Sequence, residues 1–478
     1  MDVLEISTKH AKIIVIFITC LFSLSFILHF NKASKPIRST PPLLFNNNSN
    51  NIHHRTPIRI LSLGGSITYG ANIESRSLAY PHQIIPPSSS LPTSPSSQKT
   101  SKIAAISISK NLAVRATGSE YAAECIQSMI YEYDQLHDNH DNDMYGEKDF
   151  DVITLEYSLN GLERLIVLVK RLRQRYPNAL FIYIHLWSPR MMINHEITQK
   201  LLSNDQNLSF KELDQKLKEV LSDKNIEWKW NEFELQLANK IRAKTAEIIE
   251  SVGGISWAFP LEDNPNPEAL KYLFSSDFHH LNEHGHKLVG DAIRDILIKK
   301  SIIDEAGWLK PNSENKISVG PSYGTWGKGD QCYSWYETGQ SPLEHKGGNM
   351  KRFIKPDKYA HEISIGNGVS SISFENKSLW PIPLKLIYMI WSEDKYPKAK
   401  ITIQNNNGGK EVSSSMVLNP IHPNGKMRMW HIAFMTEVGI AHPGFNTLTI
   451  ECIEKKVKPF RLVGISMCGA CEDIVGGV

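Results

Sequence analysis

The stretch that decides the fold is residues 58–68, which read IRILSLGGSIT. Residues 58–63 are mostly apolar, as expected for a short strand buried in a sheet, and Gly64-Gly65-Ser66 follows at once. In open α/β sheets, ligands bind at the carboxyl ends of the strands. Two glycines there permit a tight turn and a close approach of backbone to a ligand. Ser66 is therefore a candidate functional residue, although a glycine turn before a helix would leave the same pattern.

Short apolar runs alternate with helical patterns after this strand. Strands are predicted at residues 103–108, 112–116, 152–155, 180–187 and 255–259, and helices at 119–133, 162–175, 210–221, 228–251 and 283–299. Strands that alternate with helices form a parallel sheet covered on both faces. The predicted fold class is therefore α/β over residues 56–305.

The composition of the sequence and its pattern of apolar runs change over residues 315–478. Short β-rich runs are separated by turn residues, at 362–365, 384–391, 399–403, 427–435 and 447–450. This pattern predicts an all-β, sandwich-like domain. Aromatic rings can stack on sugars, so glycan binding is conceivable, but we expect most of the tryptophans in this region to be core residues, namely Trp326, Trp335, Trp380, Trp391 and Trp430.

The N-terminus predicts the compartment. Residues 13–30 read IIVIFITCLFSLSFILHF without a charge. At 1.5 Å per residue, about 18 residues reach about 27 Å, close to the roughly 30 Å core of a bilayer. We therefore expect a short tail at 1–12, a transmembrane signal anchor at 13–30 and a flexible stalk at 31–55, with a cleaved signal peptide as the alternative. A single-pass membrane protein with a lumenal (Golgi or secretory pathway) or extracellular body is predicted, and sequons support it at Asn47, Asn207 and Asn376.

Charge and composition exclude other classes of protein. Lys+Arg is 53 and Asp+Glu is 50, so the net charge of +3 leaves no excess to hold a nucleic-acid backbone. The stretch 138–151, DNHDNDMYGEKDFD, hints at a calcium loop. If Gly146 takes the sixth position of an EF-hand calcium loop, Val152 falls at the last position, where a bidentate glutamate is required. We therefore predict a solvated acidic loop. No metal and no cofactor is predicted.

A second candidate motif lies downstream at residues 277–286, which read DFHHLNEHGH. An imidazole base needs a carboxylate that fixes its tautomer and stabilises its cation, and Asp277 and His280 are spaced to form such a pair. The spacing alone also permits His279 as the base. A loop whose Asn282 caps the next helix would have the same sequence.

In combination these segments resemble the SGNH hydrolase superfamily, also called GDSL-like esterases and lipases. That family carries four short blocks in a fixed chain order. The matching blocks here are GGS at 64–66, NLAVRATG at 111–118, YSLN at 157–160 and DFHH at 277–280. The resemblance covers about residues 56–300 and implies a three-layer α/β/α fold.

The resemblance also implies acyl transfer by a serine nucleophile. Ser66 would attack an ester carbonyl, His280 would take the serine proton, and Asp277 would orient His280. The oxyanion would be held by the backbone N–H groups of Ser66 and Gly118 and by the side-chain amide of Asn160.

The sequence departs from the family at three positions that carry no catalytic group. Gly65 replaces the usual aspartate before the serine, and Ser158 and Gly161 replace a glycine and an aspartate of the third block. We expect a serine esterase that removes an acyl group, first of all O-acetyl, from a glycan. An O-acyltransferase acting on a sugar hydroxyl and a catalytically inactive glycan-binding protein remain as alternatives.

The cysteines predict structural cross-links rather than redox chemistry. Cys468-Gly-Ala-Cys471 lies at the end of the chain, with no following helix to lower the pKa of a thiolate. A structural disulfide is favoured over a zinc site, with Cys332, Cys452, Cys468 and Cys471 as candidates. Cys125 lies on the apolar side of a predicted helix and is expected to be a buried thiol.

Overall fold

The chain from Arg55 to Glu472 forms one compact unit. The computed structural model describes residues 57–85, 108–137, 150–192, 215, 216, 219, 229–261, 266–310, 330–336, 339, 341, 343–354, 358–364, 369–391, 394–405, 413–421 and 432–468. The predicted tail, anchor and stalk and the sequons at Asn47 and Asn207 lie outside these ranges. No helix within them has both the length and the apolar character needed to cross a membrane.

Five parallel strands form the sheet that carries the candidate site. They are β1 Arg59–Gly64, β2 Ile108–Asn111, β3 Val152–Glu156, β4 Leu180–His185 and β5 Ile255–Ala258, in the spatial order β2-β1-β3-β4-β5. The strand predicted at 112–116 is wrong. β2 ends at Asn111, and Ala116 takes a left-handed conformation with φ of 59°, which extended backbone excludes.

Seven helices accompany the sheet in the described residues. They are α1 Ser66–Tyr69, α2 Tyr80–Gln83, α3 Ser119–His137, α4 Leu165–Arg175, α5 Glu232–Ser251, α6 Pro267–Leu273 and α7 Glu283–Lys299. Ile60 on one face of β1 packs in a cluster with Val289 and Ile293 of α7, while Leu61 and Leu63 on the other face are equally buried. Both faces of the sheet are therefore covered, as the predicted α/β class requires.

The C-terminal part is all β, as predicted. One antiparallel sheet has the order β13-β12-β15-β10-β7 and the other β14-β11-β16-β9-β8, with β6 paired to β16. The strands are β6 Gln331–Ser334, β7 Glu344–Lys346, β8 Asn349–Ile354, β9 Lys358–Ile363, β10 Ser370–Asn376, β11 Ile382–Ile390, β12 Ala399–Asn405, β13 Ser413–Leu418, β14 Ile432–Ala441, β15 Gly444–Cys452 and β16 Phe460–Met467. Apolar residues of both sheets share one core, as in a β-sandwich.

The α/β part and the β-rich part are joined by buried groups. A disulfide connects Cys125 of α3 to Cys332 of β6. Beside it the buried Glu124 accepts from Lys385 of β11 at 2.8 Å and from Arg164 at 2.7 Å. The buried Lys385 therefore pairs with a buried carboxylate across the junction, and removing one partner of such a pair is costly.

The structure corrects the predicted cysteine roles. Cys125 is not a thiol but the disulfide partner of Cys332, and Cys452 is a buried free cysteine rather than a cross-link. Cys468 is disulfide-bonded, whereas Cys471 lies outside the described residues.

The structure also argues against Asn376 as a glycosylation site. Its side chain is buried, and its Nδ2 donates to the carbonyl oxygens of Trp380 at 2.9 Å and Ala441 at 2.8 Å. The nitrogen that would carry a glycan is therefore engaged inside the folded protein.

Candidate active site

Ser66 lies in the turn between β1 and α1. It is the first residue of α1 and is half-buried. The two preceding glycines are required by close packing. A Cβ on Gly64 would overlap the Thr68 side chain and lie 2.7 Å from the Glu156 carbonyl oxygen, and a Cβ on Gly65 would overlap the Asn160 amide. Any side chain at position 65, including an aspartate, would therefore collide with Asn160.

Ser66, His280 and Asp277 form a chain of short contacts. The Ser66 Oγ lies 2.9 Å from the His280 Nε2, and the His280 Nδ1 lies 2.6 Å from the Asp277 Oδ2. These residues are 214 and 3 positions apart in the sequence, so the fold assembles the contacts. The His280 and Asp277 side chains are 12% and 16% exposed, and Ser66 is also only partly buried.

Asp277 is held as a carboxylate. Burial raises the pKa of Asp277, but hydrogen bonds from the His280 side chain and from the backbone N–H groups of His280 and His279 outweigh burial and hold the pKa well below its usual range. A carboxylate only accepts hydrogen bonds, so the His280 Nδ1 carries the proton that it donates to Asp277. The His280 Nε2 is then left to accept the Ser66 proton.

His279, which the spacing had left open as the base, points elsewhere. Its side chain is buried, and its Nδ1 lies 2.8 Å from the Ser188 Oγ. Burial, together with the charge of the neighbouring His280, lowers the pKa of His279 to about 3. The geometry therefore selects His280 as the residue that contacts Ser66.

The three proposed oxyanion donors lie around the same turn. The Asn160 amide packs directly against Gly65, and a Cβ on Gly118 would lie 2.9 Å from the Asn160 carbonyl oxygen. The loop that carries Gly118 is tied to the nucleophile turn, because the Val114 N–H donates to the Gly64 carbonyl oxygen at 3.1 Å. As the first residue of α1, Ser66 has a backbone N–H with no acceptor inside the helix.

Asn72 belongs to the site and was not predicted from the sequence. Its Nδ2 donates to the Asp277 Oδ2 at 2.7 Å and lies 3.3 Å from the His280 Nδ1. Its backbone is left-handed, with φ of 67°, a conformation that asparagine tolerates better than most residues. A lone asparagine in a loop, with no motif around it, gave no signal in the sequence.

We expect Asn72→Gly to lower kcat about tenfold or more and to leave KM and the unfolding temperature nearly unchanged. Glycine keeps the left-handed backbone, so the variant removes only the hydrogen bond to a charged carboxylate, which contributes about 1.5–3 kcal/mol. Steady-state kinetics with p-nitrophenyl acetate separate the two constants. An unchanged kcat would show that Asn72 does not position Asp277.

Glu156 is a buried carboxyl below the nucleophile turn. Its Oε2 accepts from the Thr68 hydroxyl at 3.2 Å, and its Oε1 is buried without a hydrogen-bond partner. Burial raises the pKa of Glu156 to about 7, and the hydrogen bonds from Thr68 and Gly65 offset only part of that. The folded protein therefore retains a proton that the unfolded chain releases near pH 4.5.

This pKa predicts a pH-dependent penalty on stability. The pKa of Glu156 is higher in the folded protein than in the unfolded chain. Its contribution to the free energy of unfolding is therefore fully present below pH 4.5 and is lost as the pH rises through about 7. We expect Glu156→Gln, which mimics the protonated form, to gain up to about 3 kcal/mol of unfolding free energy over the unmodified protein between pH 5 and pH 8. Urea unfolding at both values tests this, with Glu247→Gln on the exposed face of α5 as control. A pH-independent difference would contradict it.

No group of three or more His, Cys, Asp or Glu side chains in the described ranges is arranged to hold a metal ion.

Comparisons with known proteins give little further guidance. No family model and no curated protein matches the sequence. The chain is similar to the crystal structure of a two-domain esterase active on acetylated mannans, at 13% identity and a TM-score of 0.46 over 86% of this chain and 91% of that one. A family 35 carbohydrate binding module from Clostridium thermocellum matches 29% of this chain and 96% of its own, at 10% identity and a TM-score of 0.19. At TM-scores below 0.5 neither likeness carries weight, so the function rests on side-chain geometry.

Proposed function

We propose that the protein is a serine-dependent ester hydrolase. The observation that carries this proposal is the continuous chain from the Ser66 Oγ through His280 to an ionised Asp277, with contacts of 2.9 Å and 2.6 Å. These are the distances and the protonation states that a nucleophile, a base and an orienting carboxylate require. A binding protein without catalytic activity has no need of an accessible serine on such a chain.

In the proposed reaction the Ser66 Oγ attacks the ester carbonyl while its proton moves to the His280 Nε2. Asp277 stabilises the imidazolium that forms. The imidazolium then protonates the leaving alcohol, which leaves an acyl group on Ser66. Water attacks this ester in the second half of the cycle, gives its proton to His280, and releases the carboxylic acid and free Ser66.

We propose that the negative oxygen of each tetrahedral intermediate is held by the backbone N–H groups of Ser66 and Gly118 and by the Asn160 amide. Their proximity around the nucleophile turn supports this role. Removing one such donor typically costs about 10²–10³ in rate.

We propose an O-acetylated glycan as the substrate class. The β-rich part exposes several large apolar side chains, among them Trp380, which is 72% exposed, its sequence neighbour Leu379, and Phe445 near the start of β15. Exposed apolar patches mark interaction sites, and flat rings suit the faces of sugars. Of the tryptophans expected in the core, Trp335 is buried and Trp391 is partly buried, whereas Trp326 and Trp430 lie outside the described residues.

We also propose that the body acts in the secretory pathway or outside the cell. The disulfide between Cys125 and Cys332 and the disulfide-bonded state of Cys468 favour an oxidising compartment. The apolar run at 13–30 provides the route there as a membrane anchor.

Acetate release from acetylated oligosaccharides, combined with labelling by a fluorophosphonate, tests the proposed activity. We expect labelling at Ser66 and release of one acetate per ester cleaved. Transfer of the acetyl group to a second sugar, without free acetate, would identify an acyltransferase instead. Absence of both labelling and turnover would overturn the proposal.

A further inference from the structure

Two arginines lie against one tyrosine ring beside the proposed nucleophile. The guanidinium carbon of Arg76 is 3.7 Å from the centre of the Tyr69 ring, and that of Arg115 is 5.5 Å from the same centre. Tyr69 is buried and is the last residue of α1, the short helix that begins at Ser66. Residues three apart on a helix are neighbours, so the ring and the nucleophile emerge from the same turn.

The loops that carry these arginines also carry groups of the proposed active site. Arg115 lies three residues before Gly118, on the segment tied to Gly64 through Val114. Arg76 follows Asn72, whose amide contacts Asp277 at 2.7 Å. Both arginines therefore lie on the loops that contact the nucleophile turn and the Asp277 carboxylate.

Among the described residues no carboxylate pairs with either of these charges. The Arg115 Nε is buried without a hydrogen-bond partner. Burial lowers the pKa of His82, and the positive charge of Arg76 lowers it further. Two like charges on one ring repel each other, and a bound anion would relieve that repulsion.

We propose that Arg76 and Arg115 form a subsite for a carboxylate on the substrate, which defines the substrate as an acetylated glycan that contains uronic acid. This inference rests on the proposed esterase function and narrows its substrate class. A guanidinium pairs with a carboxylate through two parallel N–H···O bonds, so planar sugar carboxylates fit this chemistry. The tyrosine ring keeps both side chains in place before the ligand arrives.

Calorimetric binding to the full chain with Ser66→Ala tests the subsite without turnover. The probes are a partially O-acetylated oligogalacturonate and its fully methyl-esterified form, in which each carboxylate charge is replaced by a neutral methyl ester. We expect the acid to bind about tenfold to a hundredfold more tightly than the methyl ester. Arg76→Gln and Arg115→Gln should each reduce this preference about tenfold.

The matched control is Arg352→Gln on β8, which removes an exposed arginine that also lies over a tyrosine ring, 5.8 Å from the centre of Tyr359. We expect this variant to keep the preference. Equal affinity for the two probes, no binding of the acid, or a preference that survives Arg76→Gln would overturn the subsite. Arg76 is exposed, so that variant remains informative even if Arg115→Gln fails to fold. Serine-dependent acetate release by the unmodified protein tests the esterase proposal separately.

Discussion

We expect Ser66→Ala to lower ester hydrolysis by at least about 10⁴-fold while the protein remains folded. The Ser66 Oγ is the only part of the side chain that contacts the His280 Nε2, at 2.9 Å, and alanine removes it without adding volume. Alanine is also the residue best tolerated in a helix, so α1 should not be disturbed. Initial rates with p-nitrophenyl acetate measure the loss, and thermal unfolding verifies the fold.

Ser188→Ala is the matched control for this variant. Ser188 also lies within hydrogen-bond distance of a histidine, with its Oγ 2.8 Å from the His279 Nδ1, but that histidine does not contact Ser66. We expect Ser188→Ala to keep its rate within about tenfold, and His280→Ala to lose as much as Ser66→Ala because both act in one unit. A Ser66→Ala rate as close to that of the unmodified protein as the Ser188→Ala rate would mean that the measured hydrolysis does not depend on Ser66 as nucleophile.

Removing the disulfide between α3 and β6 is expected to produce the largest loss of stability. The double variant Cys125→Ala with Cys332→Ala opens a loop of 207 residues. The chain-entropy account gives about 5 kcal/mol for a loop of this length, and native disulfides typically contribute about 2–5 kcal/mol. Urea unfolding at pH 7 should therefore show a lower midpoint and a steeper slope, because the denatured chain is less compact without the cross-link.

Cys452→Ala is the control for this experiment because Cys452 is buried but free. It loses a small apolar group and should cost only about 1 kcal/mol. The double variant should also lose activity near its unfolding midpoint, since α3 follows directly after the loop that carries Gly118. A double variant as stable as the unmodified protein would contradict the expectation.

The sequence could mark Ser66, Asp277 and His280 as candidates because each lies in a short block, and the order of these blocks along the chain resembles that of the SGNH hydrolases. Ser66 follows a strand and two glycines, and Asp277 and His280 are spaced for an imidazole and a carboxylate. Periodicity was also sufficient for the parallel sheet and for the β-rich part, since long stretches of alternating burial leave a strong signal. The structure adds the choice of His280 over His279, which depends on the direction of two adjacent side chains.

Features that depend on distant pairing could not be read from the sequence. The partner of Asn72 is 205 residues away, and nothing local marks either residue for the other. Cys125 and Cys332 are 207 residues apart, and six cysteines allow many pairings. The strand expected at 112–116 failed because apolar composition alone does not reveal the left-handed backbone at Ala116.

The hydrogen bond from the Ala433 N–H to the Ala116 carbonyl oxygen, 3.0 Å long, has a consequence for protein engineering. Ala433 belongs to β14, and Ala116 lies two residues before Gly118. A chimera that exchanged the C-terminal half for that of another protein would lose this bond together with the Cys125 cross-link and the Lys385 contact. Recombination of this scaffold therefore has to preserve the edge of β14, and swapping only the exposed end around Trp380 offers a safer route to altered specificity.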